Sequence, residues 1–113
     1  MVARGEIWLA RLDPTEGHEI RKTRPCLVVS PPDIHDHLSL VLAIPMTTGS
    51  APAPYRIPIR FRGKHGLILL EQIRVLDRRR LVQRLGAVGK LTLLAVLALF
   101  RRCSRRERSN CTA

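Results

Sequence analysis

The sequence predicts a mainly β domain, a small β-barrel or sandwich that ends in one α-helix. Two observations lead to this fold class. Five or six short apolar segments recur about every ten residues between turn residues, and an apolar segment of helical composition follows them. A chain of 113 residues with 45% apolar content fits one domain, and no internal repeat is visible.

The first half of the chain contains three predicted strands. Residues 6–12 mix β-branched, aromatic and aliphatic side chains, and the turn-forming stretch DPTEG follows at 13–17. Residues 26–30 (CLVVS) form a continuous apolar run, which is typical of a strand buried on both faces. Residues 38–44 (LSLVLAI) form another such run, and Pro45 is expected to end it.

The second half has the clearest periodicity. In residues 55–62 (YRIPIRFR), apolar side chains alternate with arginine and proline, which predicts a half-buried strand. Pro58 cannot donate to a ladder, so this strand belongs at a sheet edge or beside a bulge. Residues 66–76 predict a long fifth strand that bends near Glu71, and residues 77–88 predict a helical turn followed by a sixth strand.

The C-terminal helix is predicted over residues 93–100, with Thr92 as its N-cap and two arginines after it. This helix is apolar all round, and so small a β-domain has little room to cover every side of it. We therefore expect a second subunit to cover part of it. Residues 1–102 are predicted to form one domain, and residues 103–113 a basic, disordered tail.

The charge balance predicts a polyanionic partner. The chain has 20 Lys and Arg against 9 Asp and Glu, a formal net charge of +11. This excess favours nucleic acid ahead of a membrane surface.

Cysteine usage and apolar runs predict the compartment. Cys26 lies in an apolar run and is expected in the core, and no disulfide framework or signal peptide is visible. The longest apolar run is eight residues, whereas a membrane-spanning helix needs roughly twenty. We expect a soluble protein of a reducing cytoplasm, without a membrane partner.

Arg24 is the first candidate site residue. Because Pro25 follows it, its backbone is pushed toward extended geometry, which holds the side chain at the start of a core strand. A guanidinium has planar donors suited to phosphate, and Arg21 and Lys22 add charge nearby. The alternative interpretation is a solvated basic loop.

Two further polar segments interrupt or follow apolar strands. Thr47 and Thr48, in PMTTGS, offer hydroxyls at a strand end, although these residue types also simply make good turns. Glu71 and Gln72 interrupt an apolar strand, so either the strand bends to expose them or they are hydrogen-bonded within a site.

Other enzyme signatures are absent or weak. His35 and His37, in HDH, form only a weak metal motif, and we expect no metal site. The sequence has no GxSxG, P-loop, HExxH or GxGxxG motif.

Four stretches carry a joint pattern: RGEIWLARLDPTEGHEIRKTRPCLVVSP (4–31), VLAIPMTT (41–48), YRIPI (55–59) and LILLEQIRVLDRRRLVQRLG (67–86). Taken together, these stretches resemble the MazF/PemK family of toxin endoribonucleases. The resemblance implies an SH3-like barrel with a C-terminal helix, a two-fold homodimer and an antitoxin that blocks the RNA groove. It also implies sequence-selective cleavage of single-stranded RNA without a metal or other cofactor. The Arg-rich tail has no family counterpart.

The resemblance also assigns roles to residues. The arginine of TRP, Arg24, and the first threonine of PMTT, Thr47, match the family's catalytic residues. The 2′-OH would attack the adjacent phosphorus, giving a 2′,3′-cyclic phosphate and a 5′-OH end. The proton acceptor stays open between Glu19 and a relayed water, because arginine and threonine are poor bases. The expected RNA-binding residues are Glu19, Arg21, Lys22, Thr48 and Gln72.

Two rival functions stay open at this point. One is a gyrase-poisoning toxin of the same fold, although the joint presence of KTRP and PMTT argues against it. The other is a non-catalytic nucleic-acid-binding barrel, which the charge alone supports.

Overall fold

The computed structural model describes residues 2–12, 23–31, 39–49 and 51–112, the last ten of these for the backbone alone. The predicted mainly β fold with a C-terminal helix is confirmed. The elements of the described part are β1 Glu6–Arg11, β2 Thr23–Val28, β3 Leu40–Thr47, β4 Arg56–Phe61, β5 Lys64–Leu69, β6 Arg74–Asp77, β7 Leu81–Ala87 and α1 Lys90–Thr112.

The strands form one curled antiparallel sheet with the order β4-β5-β3-β2-β1-β7, and β6 pairs with β3 beside this path. Strand β4 lies at an edge of the sheet, as Pro58 predicted. Because β3 pairs with β2, β5 and β6, it is the central strand.

The single strand predicted over residues 66–76 is wrong. A 3-10 helix at Leu70–Gln72 divides it into β5 and β6, close to the bend expected at Glu71. The break allows both pieces to pair with β3, since β5 pairs at Met46 and Thr47 while β6 pairs along residues 40–43. A polar pair at residues 71 and 72 suits a turn better than a buried strand interior.

Pro45 does not end β3, contrary to the prediction. The strand continues to Thr47, and Pro45 pairs with Cys26 on β2. The ladder with β6 ends at Ala43, and the ladder with β5 begins at Met46. Pro45 therefore occupies the interruption between two ladders on that side of the strand, where a proline is tolerated.

Side chains close the sheet where its two edge strands meet. Nη2 of Arg62, just after β4, donates to the carbonyl of Leu85 on β7 at 2.8 Å. The Phe61 ring packs on Gly86, where an added Cβ would lie 3.1 Å from the ring. Only a glycine at residue 86 gives the ring this space without displacing it.

Two groups of buried side chains form the core. The larger group packs between the sheet and α1, and it includes Val96 of the helix, which is 1% exposed. The second group lies around β1, β2, β3 and β6. It contains Cys26, as expected, and burial raises the pKa of this thiol to about 12, so the thiol stays protonated.

Helix α1 begins at Lys90, earlier than predicted, and Thr92 lies inside its first turn rather than at its N-cap. The amide of Leu93 donates to the carbonyl of Gly89 at 3.1 Å, which adds the extra turn. The backbone remains helical to Thr112, so the boundary predicted at residue 102 does not coincide with a helix end. The residues beyond it contain no glycine or proline to stop the helix. The disorder of the tail stays a prediction.

One face of α1 exposes apolar side chains. Leu91 is 83% exposed and Leu94 is 52% exposed, and Ala95 and Ala98 continue this face toward Arg102. Of the helices in the described ranges, none has both the length and the apolar character needed to span a membrane.

Candidate functional site

A groove of about 510 Å³ lies between the β4–β5 hairpin and the ends of β1, β2 and β3. We call it the groove. Its lining contains cations, hydroxyls and apolar side chains. The lining residues are Leu9, Arg24, Pro25, Met46, Thr47, Thr48, Ile59, Phe61, Arg62, Lys64, Gly66 and Leu85.

Arg24 is the second residue of β2, and its exposed side chain lines the groove. Its backbone pairs with Ala10 of β1, and Pro25 pairs with Leu9. The strand pairing and the extended geometry that precedes a proline both fix the arginine's backbone. The expectation that Arg24 is held at the start of a core strand agrees with this placement.

Thr47 lies at the end of β3, on the other side of the opening. The β2–β3 ladder runs through Val28–Ala43, Leu27–Ile44 and Cys26–Pro45. Continuing this register by two residues sets Thr47 opposite Arg24. The described ladder stops before that point because β3 turns to pair with β5, so the two side chains lie where strands diverge and a groove opens.

The hydroxyl of Thr47 has a local partner. Its Oγ1 accepts a hydrogen bond from the amide of Gly49 at 3.3 Å, which keeps the side chain turned toward the strand end. The neighbouring Thr48 is exposed and also lines the groove. The structure therefore brings together Arg24, Thr47 and Thr48 of the predicted site.

Gly66 permits a close approach of the two strands beneath Thr47. A Cβ added at residue 66 would lie 2.8 Å from the Thr47 carbonyl oxygen, which is closer than real Cβ contacts allow. The absence of a side chain there lets β5 support the backbone of Thr47 directly.

Sequence reasoning missed the opposite wall of the groove. Arg62 and Lys64, on the turn between β4 and β5, line it together with Phe61. From the sequence alone, Arg62 is predicted on the outward face of a half-buried strand, and Lys64 follows shortly after the end of that strand. The RG dipeptide at 62–63 was the available signal, because glycine after an apolar alternation marks a hairpin turn.

The groove is electropositive. Arg24, Arg62 and Lys64 line it, and no carboxylate stands among its described lining residues. Guanidinium groups and hydroxyls are suitable donors for phosphate oxygens. The arrangement can bind a phosphodiester and stabilise negative charge that develops on it.

Glu71 and Gln72 are not among the residues that line the groove. Glu71 forms an ion pair with Arg56, with Nη2 and Oε2 separated by 2.9 Å, which joins edge strand β4 to the 3-10 helix. The Oε1 atom of Gln72 is buried and has no hydrogen-bond partner in the described part of the chain. The bend at this site exposes Glu71, while Gln72 is half-buried, so its proposed contact with RNA stays a prediction.

Several predicted residues lie outside the described residues. They are Glu19, Arg21 and Lys22, together with His35 and His37 of the weak metal motif. Within the ranges that are described, no three His, Cys, Asp or Glu side chains cluster in a way that would hold a metal ion.

The curled sheet, the C-terminal helix and the groove define a class of small β-barrel proteins that present a basic groove at the ends of their central strands. The chain belongs to the PemK-like, MazF-like toxins of type II toxin–antitoxin systems, whose family model matches residues 3–103.

Two relatives with assigned names are similar in sequence. The chain is 30% identical over 102 residues to endoribonuclease MazF of Staphylococcus epidermidis, and the match covers 85% of each protein. It is 50% identical to endoribonuclease PemK of Escherichia coli over 46 residues, which are 41% of this chain and 35% of that protein.

Solved structures share the fold. A crystal structure of MazF from Deinococcus radiodurans matches with a TM-score of 0.78 and 27% identity, covering 87% of this chain and 91% of that one. A mycobacterial endoribonuclease in complex with its cognate antitoxin matches with a TM-score of 0.73 over 88% of this chain and 90% of that one, and its 21% identity makes it evidence for the fold alone.

Proposed function

We propose that this toxin is an endoribonuclease that cleaves single-stranded RNA, messenger RNA included, sequence-selectively and without a metal ion. Its family membership and the endoribonuclease names of its relatives support this activity. The observation that supports it best is that Arg24 and Thr47 both line one basic groove, beyond the point where the described ladder between β2 and β3 ends.

The reaction is an intramolecular transesterification, in which the phosphorus exchanges its bond to the 5′ oxygen for a bond to the neighbouring 2′ oxygen. The 2′ oxygen attacks the adjacent phosphorus and loses its proton, while the bond from phosphorus to the 5′ oxygen breaks. The 5′ oxygen gains a proton, so the products are a 2′,3′-cyclic phosphate and a 5′-OH end. Negative charge accumulates on the non-bridging oxygens during the attack.

Arg24 and Thr47 would stabilise that charge. The Arg24 guanidinium pairs with non-bridging oxygens through its planar donors. The Thr47 hydroxyl donates to the same oxygens or orients the 2′-OH. Removal of one well-placed donor of this kind lowers the rate about 10²–10³-fold.

The proton acceptor is a separate question. Neither an arginine nor a threonine is a good base near neutral pH. Glu19 and a relayed water are the two candidates, and Glu19 lies outside the described residues.

The proposal that no metal is needed rests on the donors in the groove. Arg24, Arg62 and Lys64 supply positive charge at the site where a metal ion would otherwise supply it. Carboxylates, the ligands that hard divalent cations prefer, are not among the described lining residues.

The partners follow from the same proposal. An antitoxin would occupy the groove and exclude RNA, and we expect an adjacent small reading frame to encode it with an acidic, partly disordered C-terminal half. A second copy of the chain would cover the exposed leucines of α1 and form a homodimer. We also propose a cytoplasmic location, where messenger RNA would meet the protein.

The test uses purified protein and single-stranded RNA in the presence of EDTA. We expect cleavage by the wild type and losses of about 10²–10³-fold in rate for Arg24→Ala and Thr47→Ala. The matched control is Arg60→Ala, which removes an exposed cation from β4 that does not line the groove.

The outcome separates this function from its rivals. If the wild type fails to cleave, or if both variants cleave at the wild-type rate, the proposal is wrong. A parallel gyrase assay detects a gyrase poison, and RNA binding without cleavage identifies a non-catalytic barrel.

A further inference from the structure

Arg62 adopts a backbone conformation that suits other residues better. Its φ is 53° and that of Gly63 is 78°, and Phe61 pairs with Lys64 across this two-residue loop. Positive φ at both central positions is the pattern of a type I′ turn, in which Asn-Gly is preferred. An arginine with this φ is uncommon, and unfavourable geometry of this kind clusters at functional sites.

Two contacts fix the Arg62 guanidinium in place. Nη2 donates to the carbonyl of Leu85 at 2.8 Å, and Cζ lies over the Phe61 ring at 5.5 Å from its centroid. Because a guanidinium is planar, a group that rests one face on a ring still has a second face for another planar partner. Arg62 lines the groove, so a ligand in the groove can reach it.

The surface around Arg62 is apolar as well as cationic. Leu9, Met46, Ile59 and Leu85 line the same groove. A phosphate gains nothing from this surface, whereas a nucleobase has apolar faces and polar edges. Unpaired RNA bases stack on aromatic rings and on arginine guanidinium planes.

We propose that Arg62 stacks on one nucleobase of the bound strand and so forms a base-reading subsite opposite Arg24. This inference rests on the proposed function and deepens it. The base lies against the guanidinium face that Phe61 leaves open, and Lys64 pairs with the phosphate of the same stretch of RNA. The wall thus helps to select the cleavage site.

An acidic peptide is the other polyanion that the groove's cations would attract. A carboxylate pairs with the in-plane N–H donors of a guanidinium, and Nη2 of Arg62 already gives one of these donors to the Leu85 carbonyl. A nucleobase instead needs a guanidinium face that is held in place among apolar side chains, and Arg62 and the groove provide both. The nucleobase is therefore the occupant that the geometry favours.

The experiment measures binding of an RNA oligonucleotide that spans a mapped cleavage site, with a 2′-O-methyl group on the attacking ribose to prevent cleavage. An abasic residue replaces each nucleotide in turn. For the wild type, one position is expected to lose about tenfold in affinity when its base is removed. Arg62→Asn should reduce that penalty to within about twofold, because asparagine suits the turn but offers no guanidinium plane.

Two further variants separate stacking from charge and from general surface effects. Arg62→Lys keeps the positive charge but has no planar guanidinium. Removal of the base should therefore cost this variant little affinity, as it does for Arg62→Asn. Arg60→Asn changes a residue of β4, the strand that leads to Arg62, but one outside the groove lining, and it should keep the full affinity loss at the abasic position.

The possible results distinguish a failure of the subsite from a failure of the proposed function. Wild-type cleavage of unmodified RNA, measured in parallel, tests the proposed function by itself. If the wild type cleaves and no abasic position is penalised, or if Arg62→Asn or Arg62→Lys keeps the penalty, the subsite is overturned while the function stands. Binding of an acidic peptide and the melting temperature are measured for the same proteins. If Arg62→Asn lowers only the affinity for the peptide, or only the melting temperature, the subsite is overturned as well.

Discussion

Pro25 and Gly66 shape the backbone on the two sides of the candidate reacting pair. Pro25 restricts Arg24 to extended geometry, and its pairing with Leu9 anchors that geometry in the sheet. Gly66 acts on the other side, where its missing side chain lets β5 approach the carbonyl of Thr47. The separation of the two side chains therefore depends on two residues that perform no chemistry.

Gly66→Ala is expected to lower the rate of RNA cleavage about tenfold or more, because its Cβ would collide with the Thr47 carbonyl oxygen and displace the hydroxyl. The control is Gly49→Ala, since a Cβ at residue 49 meets no atom within 4 Å. Single-turnover cleavage of both variants checks this prediction. Equal rates for the two variants would contradict it.

Glu6 ties β1 to β7 and to the chain before it. Its carboxylate accepts hydrogen bonds from the Ala3 amide at 2.6 Å, from Trp8 Nε1 at 3.2 Å and from Arg84 Nε. Partial burial acts to raise the pKa of Glu6, but these donors outweigh it and hold the pKa below its ordinary value.

A carboxyl whose pKa is lowered by folding stabilises the fold above its unfolded pKa and loses that contribution as pH falls through the folded pKa. Glu6→Gln should therefore unfold more easily than the wild type near pH 7, by about 1 kcal/mol after allowance for solvent screening. The difference should shrink as pH falls below the ordinary pKa of a glutamate and through the lowered pKa of folded Glu6. Melting curves across this range test it, and a difference that stays constant with pH would rule out the carboxylate as its source.

The sequence predicts the candidate reacting residues better than the other residues of the groove. Arg24 is predicted from Pro25 and from the family resemblance that KTRP carries, and Thr47 from the resemblance that PMTT carries, since a polar run alone also suits an ordinary turn. Arg62 and Lys64 are not predicted, because their place on the groove depends on how β4 and β5 fold back across the ends of other strands. That is a long-range property which no local pattern contains.

At the scale of elements, helix α1 has two apolar faces with different surroundings. Val96 is buried against the sheet, whereas Leu91 and Leu94 point away from it and are exposed. An apolar stripe of this kind on a small protein marks an interaction surface. It agrees with the expectation that a second subunit covers part of the helix.

The double substitution Leu91→Glu and Leu94→Glu should convert the proposed homodimer to a monomer at micromolar concentration, because two charges would then lie in an apolar interface. Light scattering after size-exclusion chromatography measures the mass. The control is Arg60→Glu, which introduces an exposed glutamate on β4. A double variant with the same mass as the wild type would exclude this face as the dimer interface.

The elements themselves followed from local patterns except where pairing overrode them. Alternation located β4, and Pro58 marked it as an edge strand. Pro45 was read as a strand end, yet β3 continues through it because two ladders share that strand. The sequence predicts a later start for α1 than Lys90, because Gly89, whose carbonyl accepts the bond from Leu93, is not a strong N-cap signal.

At the scale of the whole molecule, the fold gathers part of the net charge of +11 at one site. Three cations line the groove without a carboxylate among its described lining residues, so the electrostatic attraction for a polyanion is focused at the candidate site. The charge alone could not distinguish this arrangement from a uniformly basic surface.

RNA affinity should therefore fall with salt. Two phosphate contacts in the groove, from Arg24 and Lys64, predict a slope of log affinity against log salt of about −1.4, and Lys64→Ala should reduce its size by about 0.7. The control is Arg79→Ala, because Arg79 is 91% exposed and paired with Asp77 at 3.2 Å. Fluorescence anisotropy at several salt concentrations gives the slopes. An unchanged slope for Lys64→Ala would remove this residue from the phosphate path.

The most direct test of the whole account is the chemistry of the cleaved ends. Wild-type protein is incubated with a mixed RNA pool in EDTA, and both new ends are characterised and mapped. We expect 2′,3′-cyclic phosphate and 5′-OH ends at a restricted set of sequences, lost in Arg24→Ala and Thr47→Ala and retained in Arg60→Ala. Ends with a 5′-phosphate, or cleavage that survives in both groove variants, would contradict it.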